Sequence, residues 1–175
     1  LLRGRGASVR CVLTGAGAKF VTPLTLQALS EDRVYGDMFS LTDESEMGHI
    51  QLSRDADLLV VAPATADLLA RMAGGLANDL AATVLLATDK PVLVAPAMNV
   101  RMWTHAATVA NVETLKKRGV TFVGPNDGAM ACNEHGPGRM SEPAEIVAAI
   151  EALLVRDRLL AELAIHRLDL VIADS

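Results

Sequence analysis

Cys132 stands in ACNEHGPGRM, residues 131–140, where a thiol meets glycine and charge. Gly136 and Gly138 give this stretch backbone freedom that other residues lack. Glu134 and Arg139 bring charged groups beside the sulfur. That combination does not suit a packed core. It predicts a flap that closes over a substrate and presents a thiol to it. Cys11, the other cysteine, lies in the apolar run RCVLT and reads as a buried strand residue. No CxxC pair offers zinc spacing, so no metal is expected. Two further groups can do chemistry. Asn99, in PAMNVRMW (96–103), carries a donor and an acceptor on one planar amide. His49, in MGHI, is a residue type whose ordinary pKa lies near neutral, which suits proton transfer. Taken alone, His49 reads more readily as a structural histidine before a helical stretch.

The elements that must position these groups follow from apolar patterning. Residues 8–13 (SVRCVL) read as a strand, and residues 57–62 (DLLVVA) as a fully buried parallel strand. Residues 91–95 (PVLVA) give a third strand and residues 120–123 (VTFV) a weaker fourth. Helical patterns fill residues 22–30, 67–73, 78–88, 104–117 and 142–154, with Gly119 placed as a C-terminal stop. Alternating strands and helices imply an α/β fold: a Rossmann-like or flavodoxin-like parallel sheet with helices on both faces, in three layers. Ligands bind such sheets outside the carboxyl ends of the strands. The chemistry-bearing loops sit there: Thr14–Gly17 after the first strand, Pro63–Asp67 after the second, Pro96–Asn99 after the third, and Gly124–Gly128, leading to the cysteine segment, after the fourth.

Composition narrows the classes. The chain has 175 residues, 51% of them hydrophobic and 21% charged, which fits a globular domain with a sizeable core. A net charge of −5 without a basic run argues against a nucleic-acid partner. Aromatic residues make up 3%, too few for a base-stacking platform. No apolar run reaches the ~18 residues of a membrane span. No signal peptide is evident, and a reducing cytoplasm is the expected compartment.

Three segments taken together, residues 47–80, PAMNVRMW and ACNEHGPGRM, resemble the homo-oligomeric flavin-containing cysteine decarboxylases. Within that family the resemblance is nearest to the bacterial members acting on 4′-phospho-N-pantothenoyl-L-cysteine in coenzyme A biosynthesis. It covers about residues 1–152, the expected decarboxylase domain; residues 153–175 form a tail of unassigned role. PAMNVRMW matches the family pattern P-x-M-N-x-x-M-W at every fixed position. ACNEHGPGRM matches the clamp pattern A-C-G-[DE]-x-G-x-G-R-M except at Asn133.

The resemblance implies that His49 is the catalytic base, that Asn99 binds the substrate carboxylate, and that Cys132 supplies the final proton. Ala131, Asn133, Arg139 and Met140 belong to the implied clamp around the substrate. Flavin mononucleotide (FMN) is the implied cofactor, held by Thr14, Gly15, Ala16, Thr65, Ala66, Asp67, Leu68 and Ala97. By itself Asp67 reads equally well as a helix N-cap. Met98, Met102 and Trp103 read as packing residues. The implied reaction oxidises the thiol carbon to a thioaldehyde, the electron sink for loss of CO2, and then reduces the ene-thiol. The product is 4′-phosphopantetheine.

Two departures stand out. The family opens with a strand and a turn of the type G-G-I-A-A-Y-K, which contacts the flavin phosphate. This chain opens instead with LLRGRGASVR, which reads as a helix end, a glycine stop and a strand. The first strand is therefore expected to be missing, either upstream of residue 1 or with flavin binding impaired. Asn133 replaces a clamp glycine, and Asn tolerates left-handed backbone angles better than most residues. The expected partners are copies of the chain in a homotrimer or higher oligomer, and a phosphopantothenate–cysteine ligase. Two alternatives stay open: a peptidyl-cysteine decarboxylase, and a truncated non-catalytic homologue that binds partner subunits.

Overall fold

The computed structural model describes residues 1–36, 51–130, 134–160 and 170–173. In chain order the elements are β1 (Cys11–Leu13), α1 (Pro23–Ser30), β2 (Val34–Tyr35), β3 (Leu59–Ala64), α2 (Ala66–Gly74), α3 (Leu80–Ala87), β4 (Val92–Pro96), α4 (Val100–Trp103), α5 (Ala106–Lys117), β5 (Thr121–Phe122), β6 (Asn126–Ala129), β7 (His135–Arg139), α6 (Pro143–Leu160) and β8 (Leu170–Ala173). Among the described residues, six strands form one parallel sheet in the order β2-β1-β8-β3-β4-β5. β6 and β7 form a separate antiparallel hairpin.

Strand periodicity builds the two faces. Successive strand side chains point to opposite sides. In and just before β3, Leu59 and Val61 enter one apolar cluster while Leu58 and Val60 enter another. β4 divides likewise, Val92 and Val94 from Leu93 and Ala95. The first cluster includes Leu68 and Leu69 of α2, Val84 of α3, and Val112 and Leu115 of α5. The second includes Ile146, Ile150 and Leu153 of α6. Both faces are therefore covered, as a parallel sheet requires. Among the described residues no helix is long and apolar enough to cross a membrane.

Residues 153–160 and 170–173, within the span expected as a tail, contribute to α6 and β8. α6 runs through Leu153 to Leu160, and β8 lies between β1 and β3 in the middle of the sheet. Its register is Val12↔Ile172↔Val61 across the three strands, and Ile172 is fully buried. The buried Ile172 fits a central strand of a parallel sheet, which is covered on both faces. The place between β1 and β3 is thus held by residues 170–173.

Helix starts are capped by short polar side chains. Thr22 accepts from Thr25 N, Thr65 from Leu68 N and Asp79 from Ala82 N. The cap of α2 is Thr65, not Asp67. Asp67 stands in the first turn and pairs with Arg71 at 2.9 Å. Gly119, with φ +89°, ends α5 as expected.

Candidate functional site at the carboxyl edge of the sheet

The loop after β1 turns back on itself. Thr14 Oγ1 accepts from Gly17 N at 3.0 Å, and Thr14 is buried while Gly15 and Ala16 are exposed. An added Cβ at Gly15 would meet nothing within 4 Å, so this backbone faces open space. After β3, Thr65 and Ala66 open α2, whose helix start favours an anion or polar ring edge. Leu68 is buried in the core, and its N–H already bonds Thr65 Oγ1 at 3.2 Å. Ala97 N donates to Ala64 O at 3.1 Å, tying the loop after β4 to the end of β3.

Asn99 follows as the cap of α4. Its Oδ1 accepts from Arg101 N at 2.7 Å, which fixes the amide so that Nδ2 points away from the helix. Nδ2 donates to the carboxylate of Glu134. Glu134 O in turn accepts from Met130 N at 2.9 Å, closing the tip of the β6–β7 hairpin. The hairpin also docks through its backbone: Met98 N donates to Gly138 O at 3.0 Å. The end of β4 and the hairpin are thus stitched together at Met98 and Asn99.

The expected flap is therefore a paired hairpin, with Gly128 opposite Gly136 and Ala129 opposite His135. Gly and Pro are poor strand formers. Their presence has a steric reason at Gly138, where an added Cβ would lie 2.3 Å from Met98 O and 3.0 Å from Met130 Sδ. Gly138→Ala is expected to unseat the hairpin at a cost of about 1–3 kcal/mol. Limited proteolysis across residues 126–142 checks this. Gly4→Ala, which meets nothing within 4 Å, is the silent control. Equal protease resistance in Gly138→Ala would show that the contact does not hold the hairpin.

The base of the hairpin is pinned to α6. Asn126 Nδ2 donates to Glu145 at 2.7 Å, and Glu142 N donates to the same carboxylate at 2.7 Å. These bonds to the ionised form hold the Glu145 carboxyl below its ordinary value. They also cap α6 in the manner of a capping box.

Several expected residues are placed by these contacts. Thr14, Gly15, Ala16, Thr65, Ala66 and Ala97 all follow strand ends on one edge, and Asn99 faces the hairpin. Arg139 ion-pairs with Glu142 at the start of α6. Met140 packs against the apolar cluster of α6. His49, Ala131, Cys132 and Asn133 lie outside the described residues; the segment bearing Cys132 is flanked by Met130 and Glu134, the pair that closes the hairpin tip. Cys11 is buried, and desolvation pushes its thiol above the ordinary range, partly offset by a hydrogen bond with Ser30. That disfavours the thiolate and any nucleophilic role. The Glu134–Asn99 contact emerges only in the fold; in the sequence its signal is the acid at motif position 134.

A cavity of about 590 Å³ lies elsewhere, lined by Met72, Leu86, Lys90, Leu115 and Arg118. None of the chemistry-bearing loop residues lines it. The site is better read from convergent polar groups than from concavity alone.

Comparison with known proteins agrees with this geometry. Residues 1–155 match the family model described as Flavoprotein. The coenzyme A biosynthesis bifunctional protein CoaBC of Vibrio vulnificus is 51% identical over 150 residues, which are 86% of this chain and 37% of that protein. The chain thus spans little more than a third of the curated relatives it matches. Among solved structures, a cysteine-to-serine variant of PPC decarboxylase complexed with pantothenoylaminoethenethiol is 30% identical, with a TM-score of 0.63 over 83% of this chain and 97% of that one. The FMN-binding protein AtHal3 is 31% identical, with a TM-score of 0.60 over 82% of this chain and 94% of that one.

Proposed function

The chain belongs to the flavoprotein family, and we propose that it is an FMN-dependent decarboxylase converting 4′-phospho-N-pantothenoyl-L-cysteine to 4′-phosphopantetheine and CO2. The observation that carries this reading is Asn99, an oriented amide after β4 that meets Glu134, two positions from Cys132 in the motif. Identity to the CoaBC proteins supports the substrate. The relative bound to pantothenoylaminoethenethiol supports a site for a pantothenoyl chain ending in an ene-thiol.

The residues present suit FMN. Exposed backbone at Gly15 and Ala16, the threonine hydroxyls of Thr14 and Thr65, and the amides at the start of α2 make a polar, uncharged cradle. Asp67 is neutralised in part by Arg71. Leu68 contributes backbone at most, and Ala97 lends its small side chain, since its N–H is already bonded. When bound, flavin supplies the two-electron oxidation at the thiol carbon and its later return. Asn99 holds the carboxylate in place for loss of CO2. His49 takes the proton released on oxidation. Cys132 gives a proton to the ene-thiol carbon. The small, oriented amide contributes by positioning, which fixes the breaking bond relative to its electron sink.

The protein works as a homotrimer or larger assembly in the cytoplasm, beside a phosphopantothenate–cysteine ligase activity. The test is Cys132→Ser in the flavin-loaded protein. Decarboxylation should proceed, with CO2 released and the ene-thiol accumulating, while formation of 4′-phosphopantetheine falls at least about a hundredfold. Mass spectrometry distinguishes the two products. Full turnover by Cys132→Ser would remove that residue from the mechanism, and absence of CO2 from the unaltered protein would remove the reading itself.

A further inference from the structure

We infer that Glu134 is an internal occupant of the carboxylate subsite, holding the amide of Asn99 until a substrate carboxylate displaces it. The inference rests on the decarboxylase reading above. Two contacts assign one orientation to the Asn99 amide: Oδ1 takes the Arg101 N–H, and Nδ2 gives its hydrogen to the Glu134 carboxylate. The group on Nδ2 is of the same chemical kind as the one the substrate must present. Two carboxylates side by side on one amide repel each other. Binding is therefore an exchange, in which the substrate carboxylate takes the amide and the Glu134 side chain leaves it.

The hairpin need not open for this exchange. Its seat depends on backbone hydrogen bonds that Glu134's side chain does not make: Met98 N to Gly138 O and Met130 N to Glu134 O. Only a side chain has to swing. The arrangement also gives direction to the cycle. The product has lost its carboxylate as CO2, so nothing on it competes for the amide, and Glu134 retakes it. Glu134 thus acts as a specificity-determining residue that favours ligands bearing a carboxylate strong enough to displace it.

The test uses the serine analogue of the substrate, which keeps the phosphate and carboxylate but has no thiol to oxidise, and the decarboxylated ethanolamine analogue. Trp103, the only tryptophan, lies one turn from Asn99, with Trp103 N donating to Asn99 O at 3.0 Å, and reports binding by fluorescence. Removing the competing charged hydrogen bond in Glu134→Ala should tighten the serine analogue about tenfold. Glu134→Gln, which keeps the shape without the charge, should tighten it by less. The ethanolamine analogue should be unaffected by either. Equal or weaker binding of the serine analogue in both variants, with Asn99→Ala still weakening it, would overturn the exchange and leave the decarboxylase reading standing. Failure of every form to bind either analogue would overturn both.

Discussion

Ile172→Ala in β8 should lower the unfolding free energy by about 3–4 kcal/mol, and Ile172→Asp should abolish cooperative unfolding. Domains of this kind have only about 5–15 kcal/mol in total. Ile172 is fully buried, in register with Val12 on one side and Val61 on the other. Truncation to alanine removes methyl groups from a cluster that also holds Leu59, Leu68 and Val84, and the strands on both sides limit collapse around the gap. An aspartate there is a carboxylate among apolar side chains without a counter-charge. Urea denaturation followed by far-UV circular dichroism measures both. The consequence reaches the site. β8 pairs with Leu13, the residue before Thr14, through Ala173, and with β3 before the Thr65 turn. Loss of the strand would separate the two loops that form the proposed flavin cradle. A cost under about 1 kcal/mol for Ile172→Ala would mean that β8 is not an integral strand of the sheet.

β8 also marks where sequence reading stops. The runs DLLVVA and PVLVA carry enough consecutive apolar residues to declare buried strands locally, and the structure places strands at Leu59–Ala64 and Val92–Pro96. The loops after them were legible for the same reason: a buried strand must end, and polar residues at its end face one edge. Residues 170–173 carry a similar apolar signal, but nothing local says that they insert between β1 and β3. That placement is a contact across the whole chain. The hairpin failed for the opposite reason. HGPGR lacks every strand preference, yet β7 forms because Gly138 alone fits under the Met98 carbonyl. Asp67 and Thr65 are both good N-caps, and only the backbone angles at Thr65, φ −77° and ψ 163°, decide between them. The family motifs named Asn99, but the partner of its amide emerged only from the fold.

Asn99→Asp should lower kcat/KM by about a thousandfold while leaving the fold largely intact. Aspartate is as good an N-cap as asparagine, so the bond from Arg101 N to the side-chain oxygen at position 99 survives. What changes is the other end of the group. The Nδ2 donor that meets Glu134 becomes an acceptor with negative charge. Two unit charges 4 Å apart at an effective dielectric constant near 20 repel by about 4 kcal/mol, or roughly three powers of ten in binding. The same repulsion applies to an incoming substrate carboxylate. Adding Glu134→Gln to Asn99→Asp separates the two effects. The internal repulsion is relieved, while the hairpin stays seated on its backbone contacts in both variants. The substrate still meets a carboxylate instead of a donor, so activity should not return. Recovery of activity in the double variant would mean that Asn99 serves the hairpin and not the substrate. Activity within tenfold of the unaltered protein in Asn99→Asp alone would remove Asn99 from carboxylate recognition altogether.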